Sequence, residues 1–312
     1  MCISIGPLTE QDVEQTGKVI RLAFGTFLGL PDPMTFMGDT NYAGTRFKAD
    51  PASAFIAKME NQIIGSVFVS NWGSVGFFGP LTVHPKFWDK GVAGKLMEEV
   101  TNTFERWDTK LAGLFTFPHS TKHLGLYQKF GFWPKYLTSL LAKAVVPPAG
   151  ERPCRLFSSL SKEQAQEVLR KCFRLTDRLY PGMDVSREIQ SVATQKLGDT
   201  ILIGDDDISG FAVCHAARGS EAVSGVCYVK FAAVMPGQHA AVDFQQLLAA
   251  VEHFAFNKGA TKITAGCNTG CEEAFRTMLN NGFVREMQGV IMHRPNSEGF
   301  YRKDVFVLND WR

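Results

Sequence analysis

The stretch from Leu81 to Leu96 constrains the fold of this chain more than any other segment. A β-branched strand leads into Pro85, and after a short polar loop comes the glycine-rich run Gly91–Gly94. Apolar residues then recur at helical spacing as far as Trp107, so the glycines lie where a strand turns into a helix. The first N–H groups of such a helix have no partner inside it, and they stand at the positive end of its dipole. The segment therefore predicts a cradle for a phosphate or pyrophosphate group.

The composition is that of an ordinary water-soluble protein with enough residues for two domains. The chain has 312 residues, 45% of them hydrophobic and 21% charged, and its formal net charge is +2. This balance indicates neither a nucleic acid nor a membrane surface as partner. No apolar run reaches the length of a membrane span and no leader pattern opens the sequence, so we expect a cytoplasmic protein. The seven cysteines are scattered, which favours free thiols and no metal site.

The order of predicted elements divides the chain into two similar halves. In the first, a helix is predicted over 10–24, a hairpin over 54–70 and a further strand over 74–83. The second half repeats the order of helix, hairpin, strand, helix, strand, helix and strand. A proline-rich linker is expected over 147–153, between domains 1–146 and 154–312. The predicted fold class is α/β, each domain having a mixed, mostly antiparallel sheet flanked by helices.

A second motif lies about thirty residues after the cradle. Leu126 and Tyr127 are followed by Gly131 and Phe132, where a helix is expected to end and a strand to begin. Together the two segments resemble the coenzyme-A-binding motif of the GNAT N-acetyltransferases and the helix–strand motif that follows it. In that family a Val-x-Pro strand end leads into Arg/Gln-x-x-Gly-x-Gly/Ala. Here Trp88 stands where the family has arginine or glutamine.

The second half has lost the residues that carry this resemblance. In its corresponding turn Gly237 is the only glycine, and Met278 stands in the place of the tyrosine. The sequence is thus similar to a tandem GNAT protein with a single cofactor site, in the first domain, and a degenerate second domain.

The resemblance implies acetyl-CoA as co-substrate and assigns roles to residues of the first domain. Tyr127 matches the tyrosine that donates a proton to the departing sulfur in relatives, and its ordinary pKa suits that task. The main chain near Thr82 and Val83 would bind the pantetheine arm and the carbonyl. The cofactor-binding residues implied are Leu81, Thr82, Val83, Trp88, Asp89, Lys90, Gly91, Val92, Ala93, Gly94, Lys95 and Ser120.

The general base is not fixed by the sequence. Many relatives carry a glutamate on the strand before Val-x-Pro, but residues 74–84 contain no acid. His123 lies four residues before Tyr127, so both side chains can lie on one helix face, and an imidazole there could accept a proton. Alternatively, Ser120 or Thr121 simply caps this helix and the proton leaves through ordered water. The aromatic segment after the first helix, from Phe24 to Met37, is consistent with core packing or with an apolar lid.

Taken together, these motifs predict an acetyl-CoA-dependent N-acetyltransferase that acts on a primary amine of a small molecule or peptide. The alternative is an acyl-CoA-binding regulatory module that keeps the cradle without catalysing transfer. The absent strand glutamate and Trp88 favour the module, whereas Tyr127 favours the enzyme. The oligomeric state is not indicated by any motif.

Overall fold

The computed structural model describes residues 3–148, 155–204 and 207–311. Within these ranges the chain forms fourteen strands and eight α-helices, numbered here in chain order. The strands are β1 (Ser4–Pro7), β2 (Ala54–Met59), β3 (Gln62–Trp72), β4 (Val75–Phe78), β5 (Thr82–Val83), β6 (Leu111–Thr116), β7 (Trp133–Ala144), β8 (Arg155–Leu156), β9 (Gly198–Ile203), β10 (Gly210–His215), β11 (Val226–Val234), β12 (Lys262–Asn268), β13 (Val284–Arg294) and β14 (Val307–Leu308). The helices are α1 (Val13–Phe27), α2 (Tyr42–Ala49), α3 (Val92–Arg106), α4 (Thr121–Lys129), α5 (Lys162–Leu179), α6 (Ser186–Gln195), α7 (Ala240–Asn257) and α8 (Glu272–Asn280). Of the predicted linker over 147–153, residues 149–153 lie outside the described ranges.

One mixed sheet runs through both halves of the chain. Its strand order is β1-β2-β3-β4-β6-β13-β7-β12-β11-β10-β9-β8, while β5 pairs with β3 and β14 pairs with β11. Most neighbours are antiparallel. The pairs β4–β6 and β11–β12 are parallel, one in each half. The predicted mixed α/β class is confirmed.

The two halves exchange strands at the centre of this sheet. β7 belongs to the first half in sequence, yet it lies between β13 and β12 of the second half. In return, β13 lies between β6 and β7 of the first half. Each half thus completes its sheet with a strand from the other, and the repeat pattern in the sequence did not predict this exchange.

Helices cover opposite faces of the sheet in the first half. On β2, Phe55 and Ala57 pack into the apolar cluster that contains α3, whereas Ala54 and Ile56 pack into the cluster that contains α1. Successive strand residues point to opposite faces, so α3 and α1 lie on opposite sides of the sheet.

The single strand predicted over 74–83 is broken in two. β4 ends at Phe78, and β5 begins only at Thr82. The break falls at Gly79, which has a φ of 152°, and at Pro80, which has no N–H to donate to a strand ladder. Helices α2 and α6 were not predicted.

Candidate active site

The site begins where two parallel strands separate. β4 and β6 pair over three residues, and the last pair is Phe77 with Gly113. β4 then ends, whereas β6 continues to Thr116. After Gly79 and Pro80 the chain pairs with β3 instead, as β5. A V-shaped gap therefore opens between β5 and the end of β6.

The N-terminus of α3 forms an open cradle beside this gap. Gly91 is the N-cap residue and has a φ of 77°, in the left-handed region that glycine tolerates best. Among the described residues, no side chain caps this helix. A Cβ built on Gly91 or on Gly94 would meet no atom within 4 Å. The first N–H groups of α3 thus face a space that can admit an anion.

Trp88 lines the cavity and is held at the end of β5. Its indole Nε1–H donates to the carbonyl oxygen of Val83 at 2.7 Å, which ties the ring to the end of β5. The Lys122 ammonium lies 5.9 Å from the centre of the Trp88 ring and 2.5 Å from Asp89 Oδ1. Trp88 therefore cannot play the part of an arginine or glutamine through a free side-chain donor.

Lys90 and Lys95 are not brought to the site. The ammonium of Lys90 lies 5.0 Å from the ring centre of Phe87. That of Lys95 donates to the carbonyl oxygen of Ile3 at 3.3 Å. Neither lysine lines the cavity, so the groups that the structure offers to an anion at the start of α3 are backbone N–H groups.

Cradle and gap open into one cavity of about 1060 Å³. All of the predicted site residues line it except Lys90 and Lys95. The charged side chains among the described lining residues are Asp89, Lys122 and Lys129. Residues 74–84 contain no acid that could serve as a general base. The carboxylate of Asp89, which lines the cavity, is paired with Lys122.

Tyr127 lies in the wall of the cavity, deep in the fold. Its ring is 7% exposed and meets the Phe78 ring edge-on, with 5.7 Å between the centres. Burial raises the pKa of the Tyr127 phenol well above its usual value, and a hydrogen bond with the side chain of Thr116 lowers it by a smaller amount. The phenol is therefore protonated at neutral pH, as a proton donor must be.

His123 lies one helical turn before Tyr127 and lines the same cavity. Its ring packs on Phe27, with 4.9 Å between the centres, and the Tyr127 ring is 6.4 Å away. Burial lowers the pKa of the imidazole below its usual value, and the charges of Lys122 and His119 add to the effect. Its Nδ1 is buried and has no hydrogen-bond partner among the described residues. The His123 ring is thus neutral at pH 7, and one of its two nitrogens can accept a proton.

Ser120 is the N-cap of α4. Its Oγ accepts a hydrogen bond from the backbone N–H of His123 at 3.4 Å, and the residue also lines the cavity. Of the two capping residues that the sequence allowed, the structure uses Ser120. Capping leaves a second lone pair on the hydroxyl, so the same side chain can still contact a ligand.

Comparison with known proteins identifies the first half. Residues 24–132 match the sequence model of the acetyltransferase (GNAT) family. The match covers about a third of the chain, all of it in the first half. The matched residues include the loop before α3, α3 itself and α4.

Solved GNAT structures resemble the chain over both halves. A proposed acetyltransferase from Pyrococcus horikoshii aligns with a TM-score of 0.69 and 12% identity, covering 97% of this chain and 93% of that one. A GCN5-related N-acetyltransferase from Sphaerobacter thermophilus gives 0.58 and 14%, covering 93% and 95%. A third, from Anabaena variabilis, gives 0.56 and 12%, covering 94% and 72%. At these identities the likeness establishes the fold, and a search of curated proteins found no match to the sequence.

The second half of the fold has no corresponding open gap between β11 and β12. β11 and β12 pair in parallel from Val226 to Val229, as β4 and β6 do in the GNAT domain. Beyond that point β11 pairs with β14, at Ala232 and Ala233. The C-terminal segment therefore occupies the position that is a cavity in the first half.

The same C-terminal segment reaches the GNAT cavity, a feature that the sequence analysis missed. Trp311 lines the cavity and stacks on Phe77 of β4, with 6.2 Å between ring centres and 8° between planes. Met287 of β13 lines it as well. No sequence signal could have found them, because both lie far from the motif in sequence: Met287 arrives on the exchanged strand β13, and Trp311 on the segment after β14.

A buried group of charges supports the turn between β4 and β5. The guanidinium of Arg46 donates to the carbonyl oxygen of Gly79 at 2.6 Å and to both carboxylate oxygens of Glu221, at 2.6 and 3.0 Å. Lys230 donates to Glu221 at 2.7 Å. A residue of the second half thus helps to hold the turn where β4 and β6 diverge, and no motif in the sequence indicated this contact.

Metal and membrane features are absent from the described ranges. Residues 3–148, 155–204 and 207–311 contain no cluster of three or more His, Cys, Asp or Glu side chains arranged to hold a metal ion. No helix in those ranges has the length and apolar character needed to cross a lipid bilayer. The cysteines described there are free and buried: Cys172, Cys214, Cys227, Cys267 and Cys271.

Proposed function

We propose that the protein is an acetyl-CoA-dependent N-acetyltransferase that acts on a primary amine. The observation that carries the proposal is the continuity of one cavity. At one end it is lined by the open N-terminus of α3, with Gly91 and Gly94, and in its wall lies the phenol of Tyr127. A phosphate-binding mouth and a buried proton donor around one space suit the transfer of an acyl group from coenzyme A.

The start of α3 and the gap between β5 and β6 have shapes that suit the pyrophosphate and the pantetheine arm of coenzyme A. Gly91 and Gly94 leave the helix mouth free of side chains, so the backbone N–H groups can approach a pyrophosphate. The gap between β5 and β6 gives an extended pantetheine arm a path past Thr82 and Leu114, both of which line the cavity. Acetyl-CoA supplies the thioester whose carbonyl carbon the amine attacks.

Each site residue then has a role in the transfer. As the C–N bond forms and the C–S bond breaks, Tyr127 gives its proton to the departing sulfur. The backbone N–H of Val83 holds the carbonyl oxygen, whose negative charge grows in the transition state. Val83 faces the gap, because the N–H of the next residue, His84, donates to Ile64 of β3 and neighbouring strand residues face opposite edges. The amine loses its proton to His123 or to water, since the only carboxylate among the described lining residues is paired with Lys122.

We further propose that residues 1–146 form the catalytic domain and residues 154–312 a degenerate copy of it. The parallel pair β11–β12 repeats the pair β4–β6 and supports a common plan. The placement of β14 beside β11 supports the loss of the second site, because it leaves no gap for a thioester.

The test measures binding and turnover separately. Thermal unfolding is recorded with and without coenzyme A, and thiol release from acetyl-CoA is followed with a panel of primary amines. The proposal predicts a higher Tm with coenzyme A and amine-dependent thiol release. A higher Tm without thiol release for any amine would overturn the enzyme and support the alternative, an acyl-CoA-binding regulatory module. No change in Tm at millimolar coenzyme A would overturn both.

A further inference from the structure

The part of the cavity remote from the cradle is lined by aromatic rings, and we call it the aromatic chamber. Phe24 stacks on Phe36 at 5.1 Å, and Phe27 packs against Phe117 at 5.0 Å. Tyr42 and Trp311 also line the cavity. The chamber is defined by Phe24, Phe27, Phe36, Tyr42, Phe117 and Trp311.

The chamber adjoins the groups that would carry out the transfer. Phe27 contacts the His123 ring, and His123 in turn lies beside Tyr127. Phe24 and Phe27 belong to α1, which packs on the sheet face opposite α3. A molecule in the chamber would therefore meet the thioester from the side opposite the pyrophosphate cradle.

The charged side chains among the described lining residues come from the cradle loop and from α4. Asp89 lies in the cradle loop, and Lys122 and Lys129 belong to α4. Among the described lining residues, none from α1, β6, β13 or the C-terminal segment carries a charge. The buried guanidinium of Arg46 lies 5.8 Å from the centre of the Tyr42 ring and binds Glu221 and the carbonyl oxygen of Gly79, so the charge nearest this ring is positive. An ammonium group that entered the chamber would lose its hydration and would meet no carboxylate in return.

The aromatic lining and the absence of a carboxylate among its residues bear on which acceptor amine the chamber can bind. Resting on the proposed function, we propose that the acceptor is an apolar primary amine, with an aromatic or aliphatic body and no second charge. Burial disfavours the ammonium form and so lowers the pKa of the bound amine, which leaves the neutral nucleophile that attack requires. A polyamine or an amino acid would carry an additional uncompensated charge into the chamber.

The proposal is tested by calorimetric titration of the full-length protein saturated with coenzyme A. The probes are 2-phenylethylamine, hexylamine and spermidine at one pH. We expect the first two to bind roughly tenfold or more tightly than spermidine, because burying an unpaired cation costs more than 1.4 kcal/mol. Equal or tighter binding of spermidine would overturn the inference.

A pair of matched variants shows whether the chamber causes this preference. Phe27→Asp places a carboxylate among the aromatic rings, and it should shift the preference toward spermidine by at least about tenfold. Phe173→Asp is the control, since Phe173 is 38% exposed and does not line the cavity. It should leave the preference unchanged. An unaltered preference in a folded Phe27→Asp protein, checked by its thermal unfolding, would contradict the inference.

Two further outcomes separate this inference from the proposed function. Preferential binding of the apolar amines without any acetyl transfer would support the aromatic chamber and overturn the enzyme. If octanoyl-CoA instead binds more tightly than acetyl-CoA and prevents 2-phenylethylamine from binding, the chamber takes an acyl chain and the inference is wrong.

Discussion

The indole of Trp311 lies directly over Gly113, and a Cβ on that glycine would stand 1.9 Å from the indole Cζ3 atom. Gly113 is the last residue of β6 that pairs with β4, so this contact marks the point where the two strands diverge. Trp311 comes from the second half of the chain. One wall of the cavity therefore depends on a glycine in the first half of the chain and on a tryptophan in the second.

Gly113→Ala is expected to displace Trp311 from this wall. The forced overlap should lower the free energy of unfolding by about 1–3 kcal/mol. Gly6→Ala is the matched control, because Gly6 also lies in a strand and a Cβ there would meet nothing within 4 Å. Urea unfolding of both variants checks the prediction. Equal stability of the two proteins would show that Trp311 does not fill this space in solution.

Gly91→Glu is expected to abolish the rise in Tm that coenzyme A produces. The new carboxylate would stand at the helix mouth and repel a pyrophosphate. Gly259→Glu is a close control, since Gly259 has a φ of 70° against 77° for Gly91 and both have open space around the Cβ position. The backbone strain is thus similar in the two variants. Retention of the coenzyme A effect in Gly91→Glu would rule out the cradle.

Tyr127→Phe should reduce kcat by about a hundredfold or more, the size of effect found for general acids, and leave the KM for acetyl-CoA nearly unchanged. The buried phenol has a raised pKa and holds its proton at neutral pH, so its loss removes a donor and little packing. Tyr180→Phe serves as control, because Tyr180 lies outside the cavity. Steady-state kinetics on both variants would contradict the role of Tyr127 if their kcat values were alike.

Glu221→Gln should destabilise the fold by about 3–5 kcal/mol, because it removes the buried carboxylate that both Arg46 and Lys230 bind, and the more distant Glu188 then faces two buried cations. Glu167→Gln breaks only an exposed ion pair with Arg170 and should cost about 0.5 kcal/mol or less. Urea unfolding at pH 7 measures both. A small effect for Glu221→Gln would mean that water reaches this charge group.

Stability should fall between pH 7.5 and pH 5.5 because of two buried histidines. Burial lowers the pKa of His215 to about 3 and that of His293 to about 4, from an ordinary value of 6.5. Below pH 6.5 these two histidines therefore bind protons in the unfolded chain but not in the folded chain. Each histidine should remove about 1 kcal/mol of unfolding free energy by pH 5.5. Urea unfolding at the two pH values tests this, and an unchanged free energy would contradict it.

Local signals in the sequence were enough to predict the cradle and much of the helix–strand order. The glycine run before α3 and the Tyr127 motif act through neighbouring backbone, so their geometry follows from residues close in sequence. The break after Phe78 could have been read from Gly79 and Pro80, yet the apolar alternation on both sides favoured a single strand.

Such local signals could not predict which strands pair when they lie far apart in the sequence. β7 and β13 have the same alternation whichever strand lies beside them, so no pattern could show that the halves exchange them. Likewise, no motif around Trp311 indicates that its side chain lines the cavity of the first half. The cavity wall on that side depends on the folded topology of both halves.

A crystal structure of the complex with coenzyme A tests the central claim most directly. We predict that the pyrophosphate accepts hydrogen bonds from backbone N–H groups between Gly91 and Lys95, and that the sulfur lies beside the Tyr127 hydroxyl. A pyrophosphate bound elsewhere, or a sulfur remote from Tyr127, would contradict the account.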